Sequence, residues 1–426
     1  MSRKSPVNSY MRDIAWMSCG SATSGLIGIL VMPIVSRIYT PSQFASANLI
    51  LLISGFMAVI VTFRVEQLIQ LPTRAKEAWL LVRAVFFISV VSTLLLSPIL
   101  YIQRKPLAIL FGDQDLAQWL AFSPFIAAGM GISVAMGGWV QRGRGFRRSA
   151  LASISEKFGY SAVVFSGPWL LPGSGGLVLA GIGSSIGMLV VLRPKKKWKL
   201  VGGLKGVFLV VKRYAKLSAG LIYSHVLLSI SMLLPAVYIV RHYGSDDLGQ
   251  YALVSQALAL PGSIIGRPIN TVFYQRSAEM WSAGRSYKSL FLNTINKIIY
   301  ISVPVFGLIA ALSPLFFPLI FGGSWVKAGS FAVILSIGHF FSFINSPMDR
   351  GSHVVNAWWH YPCWQTVRLV TIGTVFSIAS YFSLQIESFL WLLSAQMAVV
   401  ALYDVYFQWR FSCWVPLSKE VVKLKF

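Results

Sequence analysis

Long apolar runs separated by short polar segments fill the chain. A transmembrane helix needs about 20 consecutive, mostly apolar residues. About twelve runs reach that length, near 14–36, 44–63, 80–102, 117–140, 150–171, 175–192, 217–240, 249–272, 290–317, 326–347, 364–383 and 387–409. The pattern predicts an all-α polytopic membrane protein with about twelve transmembrane helices. Arg3, Lys4 and Arg12 precede the first run in the manner of a signal peptide. That run is of full span length and no small-x-small cleavage pattern follows it, so it is expected to remain as the first helix.

Charge sharpens the picture. The 426 residues carry a net charge of +24, from 37 Lys and Arg against 13 Asp and Glu, yet 56% are hydrophobic and only 12% charged. A soluble chain this basic would point to nucleic acid. Here the bases gather between apolar runs, so no nucleic-acid partner is expected. The clusters fall in every second polar segment: Arg74 and Lys76; Arg142, Arg144, Arg147 and Arg148; Arg193, Lys195, Lys196, Lys197 and Lys199 on to Lys216; Arg276, Arg285 and Lys288; Arg350; and Lys419, Lys423 and Lys425. The intervening segments hold only five of the 37 bases, Arg37, Arg104, Lys105, Arg241 and Lys327. The positive-inside rule puts the basic segments and both termini in the cytoplasm, and the alternation calls for an even number of spans. Trp16, Trp139, Trp169, Trp325, Trp391 and Trp409 lie near run ends, where interfacial anchors are expected. Cys19, Cys363 and Cys413 have no metal spacing and are assigned neither disulfide nor metal.

The dense segment between runs six and seven divides the chain into residues 1–200 and 201–426, each expected to form a six-helix bundle. Residues 37–45 read RIYTPSQFA and residues 241–249 read RHYGSDDLG, so Arg and Tyr recur 204 residues later. Pro33 and Pro235 lie upstream, and Arg64 and Arg267 downstream, in nearly the same relation. Six spans per half make the halves parallel, pseudo-symmetric repeats about an axis along the membrane normal. That arrangement suits alternating access, with a substrate cavity between two bundles. Gly20, Ser24 and Gly28, like Gly183 and Gly187, are spaced by four and predict close helix packing. Pro235, Pro261 and Pro304 lie inside runs, where they loosen a helix.

Residues 32–77 read MPIVSRIYTPSQFASANLILLISGFMAVIVTFRVEQLIQLPTRAKE. This segment resembles the N-terminal signature of Wzx-type polysaccharide flippases, the polysaccharide transporters of the MOP superfamily, relatives of MATE exporters and lipid II flippases. The matching positions are Pro33, Arg37, Tyr39, Pro41, Phe44, Arg64, Glu66, Leu71 and Pro72. Val65 replaces a usual aromatic and Ala45 a common Gly. The detailed match covers about a tenth of the chain, and the span layout agrees over the rest. The resemblance implies a MATE/MOP-like fold and movement of an undecaprenyl-diphosphate-linked oligosaccharide, an O-antigen or other surface polysaccharide unit, across a bacterial inner membrane. It also implies membrane lipids, a polysaccharide polymerase and a chain-length regulator as partners.

Charges within spans are costly, about 2.5–3.5 kcal/mol at a span centre on insertion scales. Arg83, Lys157 and Asp404 are expected to snorkel to the headgroups. Arg64 and Arg267 hold matching places in the two halves and are expected to face the cavity and bind the lipid diphosphate. Guanidinium forks onto phosphate oxygens and stays charged. Glu66 is expected to orient Arg64. Lys297 shares a helix face with Asn293 and Asn296, and Arg368 lies one turn from Gln365. These are expected to extend the substrate path. His225 and His339 are expected to be hydrogen-bonded within the core, and Tyr39 and Tyr243 to anchor at the outer interface.

There is no nucleotide-binding G-x(4)-G-K-[ST] loop, no H-E-x-x-H and no Cys/His cluster. No enzymatic activity and no cofactor are expected. Proton or sodium coupling stays open, with Glu66, Glu156 and Asp404 as the acidic groups placed within spans. Two alternatives are a MATE-like small-molecule exporter, which calls for carboxylates deep in the bundles, and a membrane-embedded polysaccharide polymerase, which calls for a large outer loop.

Overall fold

The computed structural model describes residues 6–193 and 203–415. The elements are α1 (Pro6–Ile38), α2 (Pro41–Thr62), α3 (Ala75–Ile102), α4 (Arg104–Phe111), α5 (Leu116–Trp119), α6 (Ser123–Arg142), α7 (Phe146–Leu170) and α8 (Gly175–Leu192). They continue with α9 (Leu204–Tyr243), α10 (Ser245–Pro261), α11 (Arg267–Ser282), α12 (Lys288–Phe321), α13 (Val326–Asn345), α14 (Gly351–Val354), α15 (His360–Tyr381) and α16 (Ile386–Ser412). Among the described residues every predicted span falls on a helix, and there is no strand. Nine helical segments of the described chain are long and apolar enough to cross a membrane. The other three, α7, α10–α11 and α15, carry Glu156 and Lys157, Arg267, and Arg368 respectively. The chain is an all-α polytopic membrane protein. Arg3, Lys4, Lys195, Lys196, Lys197, Lys199, Lys419, Lys423 and Lys425 lie outside the described residues.

The chain forms two compact units that divide between Ala252 and Leu253. The division falls inside α10, not near residue 200, because α9 packs against α2 and α3 of the first unit. The start of α10 is held there too: a Cβ on Gly249 would stand 1.9 Å from the Pro41 carbonyl oxygen, an approach only glycine permits.

In the first unit the Tyr-x-Pro-x-x-Phe segment is a helix-starting device. Thr40 Oγ1 accepts from the Gln43 amide, Gln43 Oε1 accepts from the Thr40 amide, and Pro41 occupies the first turn. Tyr39 is buried instead of lying at an interface, and its hydroxyl donates to Val164 O at 2.8 Å. Burial raises its pKa. The α7–α8 pair needs its glycines, since a Cβ on Gly183 or Gly187 would come within 2.6 Å of the Gly159 or Ser155 carbonyl. Gly20 abuts Ala150 in the same way, whereas Gly28 faces open space. Several bases of the polar segments are structural ties: Arg142 donates to Gln70 O and Thr73 O, and Arg148 to Val191 O and Arg193 O. Asp113, between α4 and α5, is buried and accepts from Ser46 Oγ at 2.6 Å. Burial raises its pKa, and these hydrogen bonds oppose the rise.

In the second unit α13 packs between α12 and α16. Ser394 Oγ joins α16 to α13, accepting from the Gly338 amide and donating to Ile334 O. Phe273, Tyr287, Phe291, Met348 and Phe411 form one core cluster. Trp325, expected at an interface, is fully buried. Arg276, expected in a loop, lies within α11, which extends ten residues beyond the predicted span. A π-helical turn over Gly262–Gly266 follows Pro261, which ends the regular helix above it.

Candidate functional site

Arg64 stands where the second helix breaks. α2 ends at Thr62, Phe63 and Arg64 both adopt left-handed backbone (φ 50° and 56°), and a 3-10 turn follows over Val65–Leu68. Each such non-glycine residue costs roughly 1–2 kcal/mol. The break is held by Thr62 Oγ1, which accepts from the Arg64 amide at 3.2 Å, and by Ser218 Oγ of α9, which donates to Phe63 O. Gly131 lets α6 close on this corner: a Cβ there would stand 2.1 Å from Thr62 Cγ2.

The Arg64 side chain is 17% exposed and Glu66 only 2%; Nη1 donates to Glu66 Oε1 at 3.3 Å. Arg64 Nε and Glu66 Oε2 are buried and make no hydrogen bond among the described residues. Both side chains line a pocket of about 290 Å³ within the first unit, walled by Leu51, Gly55, Met130, Gly131 and Met232. Gly55 has nothing within 4 Å of its Cβ position, which leaves the wall of α2 open there. On the next turn Gln67 Nε2 donates to His225 Nε2 at 3.0 Å, so His225 is a hydrogen-bonded histidine of α9. The pocket thus presents one fixed guanidinium, backed by a carboxylate, to an otherwise mostly apolar space.

Arg267 is the first residue of α11, immediately after the π-helical turn. It is exposed, and its guanidinium makes no ion pair or hydrogen bond among the described residues. Its helix is anchored one turn on, where Asn270 Nδ2 donates to Ser346 O at 3.0 Å and Asp349 Oδ1 at 2.8 Å.

Lys297 and Asn293 are exposed on α12 and line a groove against α11 that also holds Arg276. Arg368 is half-buried on α15, and its carbonyl lies 3.4 Å from Gln396 Nε2. Gln365 is 1% exposed, and neither polar atom of its amide has a hydrogen-bond partner among the described residues. The structure therefore brings together Arg64 with Glu66, and Lys297 with Asn293.

Asp404 does not snorkel. It is 1% exposed and accepts three hydrogen bonds: from Asn345 Nδ2 at 2.7 Å, Gln408 Nε2 at 3.0 Å and His360 Nε2 at 2.7 Å. Gln408 also accepts from the Ser352 amide and donates to Asp349 O. This network joins α13, α15 and α16 to the connection between them. At its edge Asp349 has its pKa raised to about 6, chiefly by burial of the carboxyl, against the Arg350 charge and the Asn270 hydrogen bond. Burial lowers the pKa of His353, helped by Arg350 and His360.

A family model described as "Polysaccharide biosynthesis protein" matches residues 34–330. The chain belongs to this family. Among curated proteins it is 24% identical over 394 residues to the succinoglycan biosynthesis transport protein ExoT of Rhizobium meliloti (strain 1021), covering 89% of this chain and 76% of that one. Among solved structures it resembles the lipid II flippase MurJ in an inward closed conformation, with TM-score 0.69 and 14% identity over 92% of this chain and 87% of that one. It also resembles an inward-facing multidrug resistance MATE family transporter of the MOP superfamily, with TM-score 0.66 and 14% identity over 93% of each chain. The fold is that of the MOP-superfamily transporters, and the chain is a multi-pass membrane protein of the polysaccharide biosynthesis family.

Proposed function

We propose that this chain is a flippase that carries an undecaprenyl-diphosphate-linked oligosaccharide from the cytoplasmic to the outer leaflet of a bacterial inner membrane by alternating access, with both termini cytoplasmic. The observation that carries the reading is the Arg64 pocket. A strained helix break fixes one cation in a largely apolar space, and Glu66 holds its orientation while leaving Nε without a partner among the described residues. An amphiphile with an anionic centre matches that combination, because guanidinium binds phosphate oxygens through parallel hydrogen bonds. Within the second unit, Arg267 offers an exposed cation for phosphate, and Arg368, one turn from Gln365, offers hydrogen-bonding groups for sugar. Transport, not catalysis, is the activity. Membrane potential contributes about 2.3 kcal/mol per charge per 100 mV to movement of an anionic lipid, and proton or sodium coupling adds to it where the carboxylates take part. A polymerase and a chain-length regulator act on the product.

The test is transbilayer movement of a fluorescent polyprenyl-diphosphate-linked saccharide in proteoliposomes containing the full chain. Movement that requires the protein, and that Arg64→Ala abolishes, supports the reading. Equal movement by wild type and Arg64→Ala overturns the role of the pocket, and no movement by the wild type overturns the substrate class.

A further inference from the structure

The second unit holds a groove that a diphosphate-binding pocket does not account for. It runs between α11 and α12, with a volume of about 490 Å³, and continues into a second hollow of about 390 Å³ toward the α11–α12 connection. Its wall changes character along its length. Pro268, Ile269 and Ile301 close one end; Arg276, Asn293 and Lys297 lie in the middle; Arg285 and Ser289 lie at the far end. Among the described residues that line it, Glu279 is the one carboxylate, and it accepts from Gln275 Nε2 at 2.7 Å on its own helix. Arg276, Arg285 and Lys297 are exposed, and their side chains make no ion pair or hydrogen bond among the described residues. The groove is therefore cationic in the middle and apolar at one end.

Depth identifies the occupant. α12 has 34 residues, so it is about 51 Å long at 1.5 Å per residue. A hydrocarbon core of about 30 Å leaves about 10 Å of helix beyond it at each end. Lys297 lies nine residues from the start of α12, about 13 Å along it, and Arg276 lies six residues before the end of α11, about 9 Å. Both side chains thus stand near the boundary between hydrocarbon and headgroups, with the apolar end of the groove directed into the hydrocarbon.

We propose that this groove is a site for an anionic glycerophospholipid, its phosphate held by Arg276, Lys297 and Asn293 and an acyl chain lying along Ile269 and Ile301. With the basic segments in the cytoplasm, the lipid belongs to the cytoplasmic leaflet. Lys297 and Asn293 then serve the surrounding bilayer instead of the transported substrate. Each base near an anionic membrane surface contributes roughly fivefold in affinity, so removing two of them costs roughly thirtyfold.

The experiment uses the full chain in nanodiscs of mixed dioleoyl-phosphatidylglycerol and dioleoyl-phosphatidylcholine, with co-purifying lipid quantified after transfer to detergent. The wild type is expected to retain phosphatidylglycerol in preference to phosphatidylcholine by roughly thirtyfold. Arg276→Gln/Lys297→Gln should lose that preference, Arg276→Lys/Lys297→Arg should keep it, and Arg144→Gln/Arg147→Gln on the first unit should leave it unchanged. Equal retention by wild type and the Gln pair overturns the site. So does displacement of the phosphatidylglycerol by a polyprenyl diphosphate, which would return Lys297 to the substrate path. Transport by the wild type is measured in the same preparation, so failure of the lipid site is distinguishable from failure of the flippase reading.

Discussion

Arg64 and Arg267 hold corresponding places in the two halves, each reached from a long first helix through a tight turn and a second helix, yet the chain secures them differently. At Arg64 the helix stops, two residues turn left-handed, and a buried carboxylate takes one face of the guanidinium. At Arg267 the helix continues through a π-helical turn, and the side chain is exposed with no polar partner among the described residues. A cation fixed before substrate arrives loses little side-chain entropy on binding, whereas a mobile one must be ordered first. The first unit thus holds a fixed guanidinium and the second an exposed one.

The largest effect expected from breaking this comparison is at Arg64. Arg64→Ala should abolish surface polysaccharide in cells and also lower the amount of protein in the membrane, because it leaves Glu66 buried and unpaired, a change that costs several kcal/mol. Adding Glu66→Gln should restore protein level but not polysaccharide. Arg267→Ala should reduce polysaccharide without any change in protein level. Surface staining and membrane immunoblots separate these outcomes, and identical behaviour of the two Ala variants would remove the distinction between fixed and mobile cations.

A sharper probe leaves both arginines in place. Gly55→Leu should fill the Arg64 pocket from α2, where no atom lies within 4 Å of the new Cβ. Replacing a helix-interior glycine gains about 1 kcal/mol of helix propensity, so thermal stability should hold or rise while transport falls severely. In the second unit, Asp404→Ala removes three hydrogen-bond acceptances among buried groups. It should lower unfolding stability by roughly 3 kcal/mol, read as a drop in melting temperature of the purified chain.

The smallest effect is the pH dependence of the Asp349 edge. A carboxyl whose folded pKa is raised to about 6 binds its proton more tightly in the folded state than in the unfolded one. Its contribution to stability is complete below the ordinary carboxylate pKa and is lost as pH rises through about 6. Melting temperature should fall slightly between pH 4.5 and pH 7, and Asp349→Asn should remove that slope. An unchanged slope would place the titrating group elsewhere.

Apolar run length made nine spans legible, because a bilayer imposes its thickness directly on the sequence. The capping device at Thr40–Gln43 was visible as a signature without its mechanism. Depth along a helix can be read from position, but the direction a side chain faces cannot, and this is where the sequence reading of Asp404 failed. As an isolated charge near a span end it suggested snorkelling, whereas its partners Asn345 and His360 lie 59 and 44 residues away on other helices. Arg276 was hidden for a related reason: hydropathy marks where a span leaves the hydrocarbon, not where the helix ends, and α11 continues to Ser282. Asn293 and Lys297, one turn apart, were legible as a pair, while the groove they share with Arg276 was not.

Binding tests the central claim most directly. Equilibrium affinity of the purified full chain for a short-chain polyprenyl-diphosphate-linked saccharide should fall roughly 10- to 100-fold in Arg64→Ala, as expected for loss of a charge-assisted contact worth about 1.5–3 kcal/mol. Arg64→Lys should recover only part of the affinity because an ammonium cannot fork onto two oxygens. Wild-type affinity in Arg64→Ala, in protein that is folded and paired with Glu66→Gln, would contradict the account.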